Sequence, residues 1–131
     1  METMAAPTAL IADDDVVSTH LLRHCLSSAG FRVLCAPDGR AAIAMMEAEA
    51  PRLVVLDVMM PVMDGLEVMR RAQADERLRK IPVIMVTSRE QDADILEAVK
   101  LGAADYVVKP FVPADFLARV ARVLSDNRRA A

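Results

Sequence analysis

Five side chains of this 131-residue chain combine reactive chemistry with one shared setting. Asp13 and Asp14 follow the run Ala9-Leu10-Ile11-Ala12, and Asp57 follows Leu53-Val54-Val55-Leu56. Thr87 follows Val83-Ile84-Met85-Val86, and Lys109 follows Tyr106-Val107-Val108. Each run has the length and composition of a short buried strand, so each reactive residue stands at a strand's end. Carboxylates gathered in one cleft repel one another strongly at low effective dielectric, and a cation relieves that cost. Hard oxygen donors of this kind suit Mg²⁺ or Mn²⁺. The lysine adds a fixed positive charge and the threonine a hydroxyl donor. Such a set suits phosphoryl transfer, in which the protein positions the group and neutralises charge on its equatorial oxygens. Asp57, standing alone, is then the natural carboxylate nucleophile. Asp13 and Asp14 form the metal-holding pair.

Taken singly, each feature has a plainer explanation. Asp13-Asp14-Asp15 reads as a helix N-terminus, where acids meet the positive end of the helix dipole and aspartate caps. Thr87 reads as another cap, Asp57 as a turn residue and Lys109-Pro110 as a solvated turn. None of these explains why all the polar groups fall at equivalent ends of successive strands.

The elements that must position them alternate regularly. After the first apolar run, Val17, Leu21, Cys25 and Ala29, with Leu22 and Leu26 beside them, recur at helical spacing up to Gly30. Phe31 to Cys35 forms the second strand-like run, followed by a helix carrying Ala42, Ile43, Met46 and Ala50 on one stripe. A helix is expected from about Leu66 to Arg71, then a polar stretch from Gln73 to Lys80, and after Thr87 a helix carrying Ile95, Leu96 and Val99. The last helix presents Phe116, Leu117, Val120, Val123 and Leu124, and the polar or small residues from Ser125 onward are expected to fray. Five apolar runs alternating with five amphipathic ones imply an α/β, doubly wound parallel sheet covered by helices on both faces. Right-handed crossovers then bring every strand's C-terminal end to one edge, where ligands of such sheets bind. The expected organisation is a short N-terminal tail at 1–7, one domain at 8–125 and a tail or linker start at 126–131.

Composition narrows the function classes. A net charge of −3 offers no general attraction for nucleic acid. No apolar run is long enough to span a bilayer, and METMAAPT lacks a basic region followed by an apolar one, so a cytoplasmic location is expected. Cys25 and Cys35 sit in separate apolar segments and read as packed, reduced thiols. Met45, Met46, Met69 and Met85 read as core filling. His20 and His24 lie one helical turn apart, a spacing open to metal but more typical of a solvated or partner-facing pair.

The motifs LIADDD, LVVLDVMMPVMDG, IPVIMVTS and GAADYVVKPF, in this order, resemble the response-regulator receivers of two-component signalling, chiefly the single-domain, chemotaxis-regulator-like ones. The resemblance spans roughly Ala9 to Leu124. It implies a flavodoxin-like (βα)5 fold with strand order 2-1-3-4-5. It also implies that Asp57 accepts a phosphoryl group from a sensor histidine kinase or a histidine phosphotransfer protein. Asp14 and Asp57 would ligate Mg²⁺ (or Mn²⁺) directly, Met59 through its main-chain carbonyl and Asp13 through water. Lys109 would pair with Asp57 at rest and with the phosphoryl group afterwards, with Lys109-Pro110 a candidate cis peptide. Thr87 and Tyr106 match the switching pair, Tyr106 turning inward from an exposed position as Thr87 moves. The output would be a changed face on the fourth helix, fifth strand and fifth helix, near Arg89, Ile95 and Tyr106, read by a downstream protein. Met59 and Arg89 occupy positions that tune phosphoryl lifetime. Monomer and phosphorylation-dependent dimer both fit.

Two alternatives are distinct. One is a receiver portion of a longer regulator with a DNA-binding or enzymatic output domain. An aspartyl-phosphate phosphatase of the haloacid-dehalogenase type would place a second acid two residues after its nucleophile, where this chain has Met59, and on the first strand rather than the third.

Overall fold

Runs such as Leu53–Leu56 are apolar at consecutive positions, so both faces of their sheet must be covered. The computed structural model, which describes residues 6–88 and 92–130, meets that demand. The elements are β1 (Thr8–Ala12), α1 (Val16–Ser28), β2 (Arg32–Ala36), α2 (Gly39–Glu49), β3 (Leu53–Leu56), α3 (Gly65–Gln73), β4 (Val83–Thr87), α4 (Asp92–Lys100), β5 (Asp105–Val108) and α5 (Pro113–Ala130). A 3₁₀ turn at Leu78–Lys80 lies in the segment expected to be a polar stretch. The strands form one five-stranded sheet of order β2-β1-β3-β4-β5. Every neighbouring pair is parallel, with Ile11 facing Val55, Val55 facing Ile84 and Met85 facing Tyr106.

Strand side chains alternate between the two faces and build two separate cores. On one face Ala9, Ile11, Leu53, Val55, Ile84, Val86 and Val107 meet α1 and α5 through Leu22, Cys25, Leu26, Phe116, Val120 and Val123. On the other, Leu10, Ala12, Val54, Leu56, Val83 and Met85 meet α2, α3 and α4 through Ala42, Met46, Val68, Met69 and Ala98. Met46, Met69 and Met85 are buried as core filling, and both cysteines are free thiols.

Two helices are rotated relative to their sequence pattern. In α1 the buried positions are Ser18, Leu22, Cys25 and Leu26, while Val17 and Leu21 are 75% and 37% exposed. The helix has apolar residues on two adjacent stripes, and periodicity alone does not say which one faces inward. In α4 the contact is made by small Ala98, fully buried, and Leu96 and Val99 point outward at 55% and 58% exposure. The last helix also continues to Ala130, past the boundary expected at 125. Residues 125–130 contain no Gly or Pro, and polarity does not stop an exposed helix. Arg89 lies outside the described residues.

Phe116, completely buried between α5 and the sheet, is the largest fully enclosed side chain. Phe116→Ala is expected to lower unfolding free energy by about 3–5 kcal/mol through lost burial and a residual cavity, measured by urea denaturation at constant m-value.

Candidate functional site

The sheet's ladder does not stop where its strands end. Asp57 N–H donates to Ala12 C=O at 2.9 Å, Asp13 N–H to Ala36 C=O at 3.3 Å and Lys109 N–H to Thr87 C=O at 2.9 Å. The reactive residues therefore inherit the register of the strands before them. Asp13, Asp14 and Asp57 present carboxylate oxygens that all lie within 4.8 Å of one another. Asp13 and Asp57 are buried and Asp14 is exposed. Thr87, the last residue of β4, is fully buried at the same edge.

Lys109 reaches into this group, its Nζ donating to Asp13 Oδ2 at 2.7 Å and to Asp57 Oδ2 at 3.1 Å. The resting pair with Asp57 that the resemblance implied is present, and the lysine also bridges to Asp13, by the shorter contact. The Lys109-Pro110 peptide is cis, as the resemblance implied. Burial raises the Asp13 pKa, and nearby Asp57 adds to the rise, while hydrogen bonds from Lys109 and the Asp15 amide only partly offset it. For Lys109, burial acts downward, but hydrogen bonds and attraction from Asp13 and Asp57 outweigh it and hold the ammonium above its ordinary range. One cation thus faces more negative charge than it can balance.

Local devices hold the acids in place. Asp15, not Asp13 or Asp14, caps α1: its carboxylate accepts from Val17 N–H at 3.2 Å and Ser18 Oγ at 2.8 Å. That division leaves the two preceding aspartates available to the cleft. Asp15 N–H donates to Asp13 Oδ1 at 2.9 Å, and Thr19 Oγ1 donates to the Asp13 carbonyl at 3.3 Å. Thr19 was not singled out from sequence; its only signal there is its position one turn after the cap. Met59 N–H donates to Asp57 Oδ1 at 3.1 Å, while its side chain is 53% exposed. Gly65 opens α3 directly against Asp57: a Cβ there would overlap the Asp57 carbonyl, and Gly65 N–H donates to Val58 C=O at 2.8 Å. Only glycine permits that approach.

Tyr106 is half-buried and packs beside the α2–α3–α4 core, not in the exposed position expected for it. It is paired in register with Met85, which shares a sheet face with Thr87 two residues on, so Thr87 and Tyr106 occupy neighbouring places on that face. His20 and His24 are both exposed and line a shallow surface groove with Val16, Val17 and Leu21.

Residues 9–121 match the family described as response regulator receiver domain. The chain belongs to that family. Over 115 residues, 88% of the receiver chain, it is 45% identical to "Probable transcriptional regulator ycf27" of Galdieria sulphuraria, covering 44% of that protein. It superimposes on chemotaxis protein CheY4 of Vibrio cholerae with TM-score 0.84 and 31% identity, covering 91% of this chain and 99% of the other. A third relative is the receiver domain of sensor histidine kinase PA1611 from Pseudomonas aeruginosa, at TM-score 0.85 and 28% identity over 92% of this chain and 99% of the other; that structure holds a magnesium ion in its active-site cleft. The receiver chain spans about half the length of the curated relatives it matches. No described helix is long and apolar enough to cross a membrane.

The Asp13–Lys109–Asp57 arrangement has a measurable signature. Lys109 contributes stability that is fully present below its ordinary value of 10.5 and is lost as pH rises through its higher folded value. Lys109→Met leaves two buried carboxylates without their cation and is expected to cost about 3–5 kcal/mol at neutral pH. Burial already raises the Asp13 pKa and Lys109 partly offsets that rise, so losing the lysine raises it further and the deficit should shrink as pH falls and Asp13 protonates. Paired urea titrations of both proteins across the acid range check this.

Proposed function

We infer that this receiver domain takes a phosphoryl group onto Asp57 from a sensor histidine kinase or a histidine phosphotransfer protein. The observation that carries the reading is the buried Asp57 carboxylate within reach of Lys109 and two further aspartates. An Asp57 oxygen attacks phosphorus as the P–N bond to the donor's imidazole breaks, and the histidine leaves with the bonding pair and regains a proton. Met59 N–H and Lys109 hold the carboxylate in position before attack. Lys109 then neutralises charge on the transferred group.

Three clustered carboxylates fit a hard divalent cation better than one lysine can satisfy them. Asp14 and Asp57 would hold Mg²⁺ (or Mn²⁺) directly, with the Met59 carbonyl, and Asp13 would do so through water. When bound, the metal supplies Lewis-acid neutralisation of the phosphoryl oxygens. The exposed Asp14 side chain is the metal-facing acid least engaged in holding the fold. Asp13 is engaged by both Lys109 and the Asp15 amide.

Transfer would add about two negative charges at Asp57. The Thr87 hydroxyl at the adjoining strand end is placed to follow that charge, and Tyr106, on the same sheet face, to occupy the space it vacates. The readout would be the α4–β5–α5 face, where Leu96 and Val99 stand exposed for a downstream protein or for a second copy in a phosphorylation-dependent dimer. Self-dephosphorylation by water is slow chemistry at the same site, and the domain works as a signalling phosphoacceptor in the cytoplasm. The functional unit is residues 8–125, with 1–7 and 126–131 flanking it. The similarity to transcriptional regulators of about twice this length favours a receiver that acts within a longer regulator as the second reading. An aspartyl-phosphate phosphatase is disfavoured by Met59, apolar where that chemistry needs its second acid.

With phosphoramidate and Mg²⁺, intact-mass spectrometry is expected to show one phosphoryl increment on the wild type and none on Asp57→Asn. Asp14→Ala should weaken Mg²⁺ binding at least about tenfold by calorimetry, the cost of losing a direct carboxylate ligand. A persistent increment on Asp57→Asn would sink the acceptor assignment.

A further inference from the structure

Val62 has φ of +69°, the left-handed region that β-branched residues avoid. Its neighbours close a three-residue turn around it, Met63 N–H donating to Pro61 C=O at 2.7 Å. A γ-turn with positive φ at its centre is the rare, strained form. The turn's path is fixed from both sides. Gly39, at the start of α2, lies so close that a Cβ there would overlap the Met63 carbonyl, and Asp64 caps α3 by accepting from Glu67 N–H at 2.9 Å. Strain of this kind persists where the surroundings over-determine the backbone.

The surroundings dictate the turn but not the valine. Glycine or asparagine would adopt this conformation with little strain. The Val62 side chain is 75% exposed and joins neither core, so packing within the chain does not repay its strain. It stands in the β3–α3 loop, five residues after Asp57 in the same loop as exposed Met59. Val16 and Val17 in the first turn of α1 and Val112 in the loop after β5 are also 65–80% exposed, so one helix start and two loops of the carboxyl edge present bare aliphatic groups beside a charged cleft. Free anions or metal ions gain nothing from such a rim. A protein that brings a phosphohistidine to Asp57 would bury it.

We propose that Val62 is a specificity-determining contact for the phosphoryl-donor protein, an aliphatic knob held out by a strained turn to meet an apolar surface beside the donor's phosphohistidine. The proposal rests on Asp57 being the phosphoacceptor. The test compares wild type, Val62→Asn, Val62→Gly and Val62→Ile with two donors in Mg²⁺: phosphoramidate, and the ATP-loaded sensor kinase that labels the wild type fastest in a purified panel from the same organism. The expected result is unchanged labelling by phosphoramidate for all four proteins. With the kinase, KM rises about tenfold for the Asn and Gly variants at unchanged kcat, and Val62→Ile stays near the wild type. Thermal midpoints of the Asn and Gly variants should equal or exceed the wild type's. An unchanged kinase KM overturns the role of Val62, as does a panel in which no kinase labels the wild type. Lower midpoints in both variants overturn it too, because the valine would then be serving the fold. Failure of phosphoramidate to label the wild type is a different result, and it fails the phosphoacceptor reading instead.

Discussion

The cost of confining three carboxylates within 4.8 Å of one another governs the rest of this molecule. Such a cluster does not assemble by chance, because each acid would rather be solvated. Here the parallel sheet compels it. Backbone hydrogen bonds run past the strand ends, tying Asp57 to Ala12 and Asp13 to Ala36, so the acids cannot separate without breaking the ladder. Lys109 offsets part of the repulsion by bridging Asp13 and Asp57, and the raised Asp13 pKa, set first by burial and only partly offset by the lysine, records what remains. The site is held in a state that additional positive charge would relieve.

Much of this was legible in the sequence because parallel strands are apolar at every position and end abruptly in polar residues. That pattern located the β1, β3, β4 and β5 ends and hence Asp13, Asp14, Asp57, Thr87 and Lys109. Helical phase was less legible. Val17 and Leu21 belong to one apolar stripe of α1 and Leu22 and Leu26 to the next, and only the docked helix reveals which is buried. The α4 stripe misled for the opposite reason: its fully buried apolar residue is an alanine, too small to stand out against Leu96 and Val99. The double contact of Lys109 was hidden because it depends on how closely the ends of β1, β3 and β5 approach one another, which no spacing rule encodes. Tyr106 was expected outside, yet the register that pairs it with Met85 draws it against the core.

The elements around the cleft are fastened unequally, and that inequality matters for any switch. α1 and α5 share a continuous core of Leu22, Leu26, Phe116, Val120 and Val123 with the sheet. β5 and α5 are further joined where Arg119 grips both Asp105 oxygens at 2.9 and 3.0 Å and Arg122 adds a third contact at 3.0 Å. By contrast, among the described residues of α4 only Ala98 and Asp94 are buried, Ile95 is partly buried, and Arg70 reaches Glu97 at 3.3 Å at the surface. An exposed pair of this kind contributes at most about 1 kcal/mol, and an alanine contact little more.

A local charge event can bias a distant face only if the two arrangements of that face differ by a few kcal/mol. Shifting α5 would mean opening the Phe116 core and separating Asp105 from two arginines. Shifting α4 would mean moving buried Ala98 and Asp94 and loosening one solvent-screened pair, with no side chain as large as Phe116 fully enclosed among its described residues. The element without a large enclosed side chain therefore lies next to the β4 and β5 positions that carry Thr87 and Tyr106. A charge added at Asp57 would not need to open the Phe116 core; it would need only to exceed the free-energy difference between the two arrangements of α4.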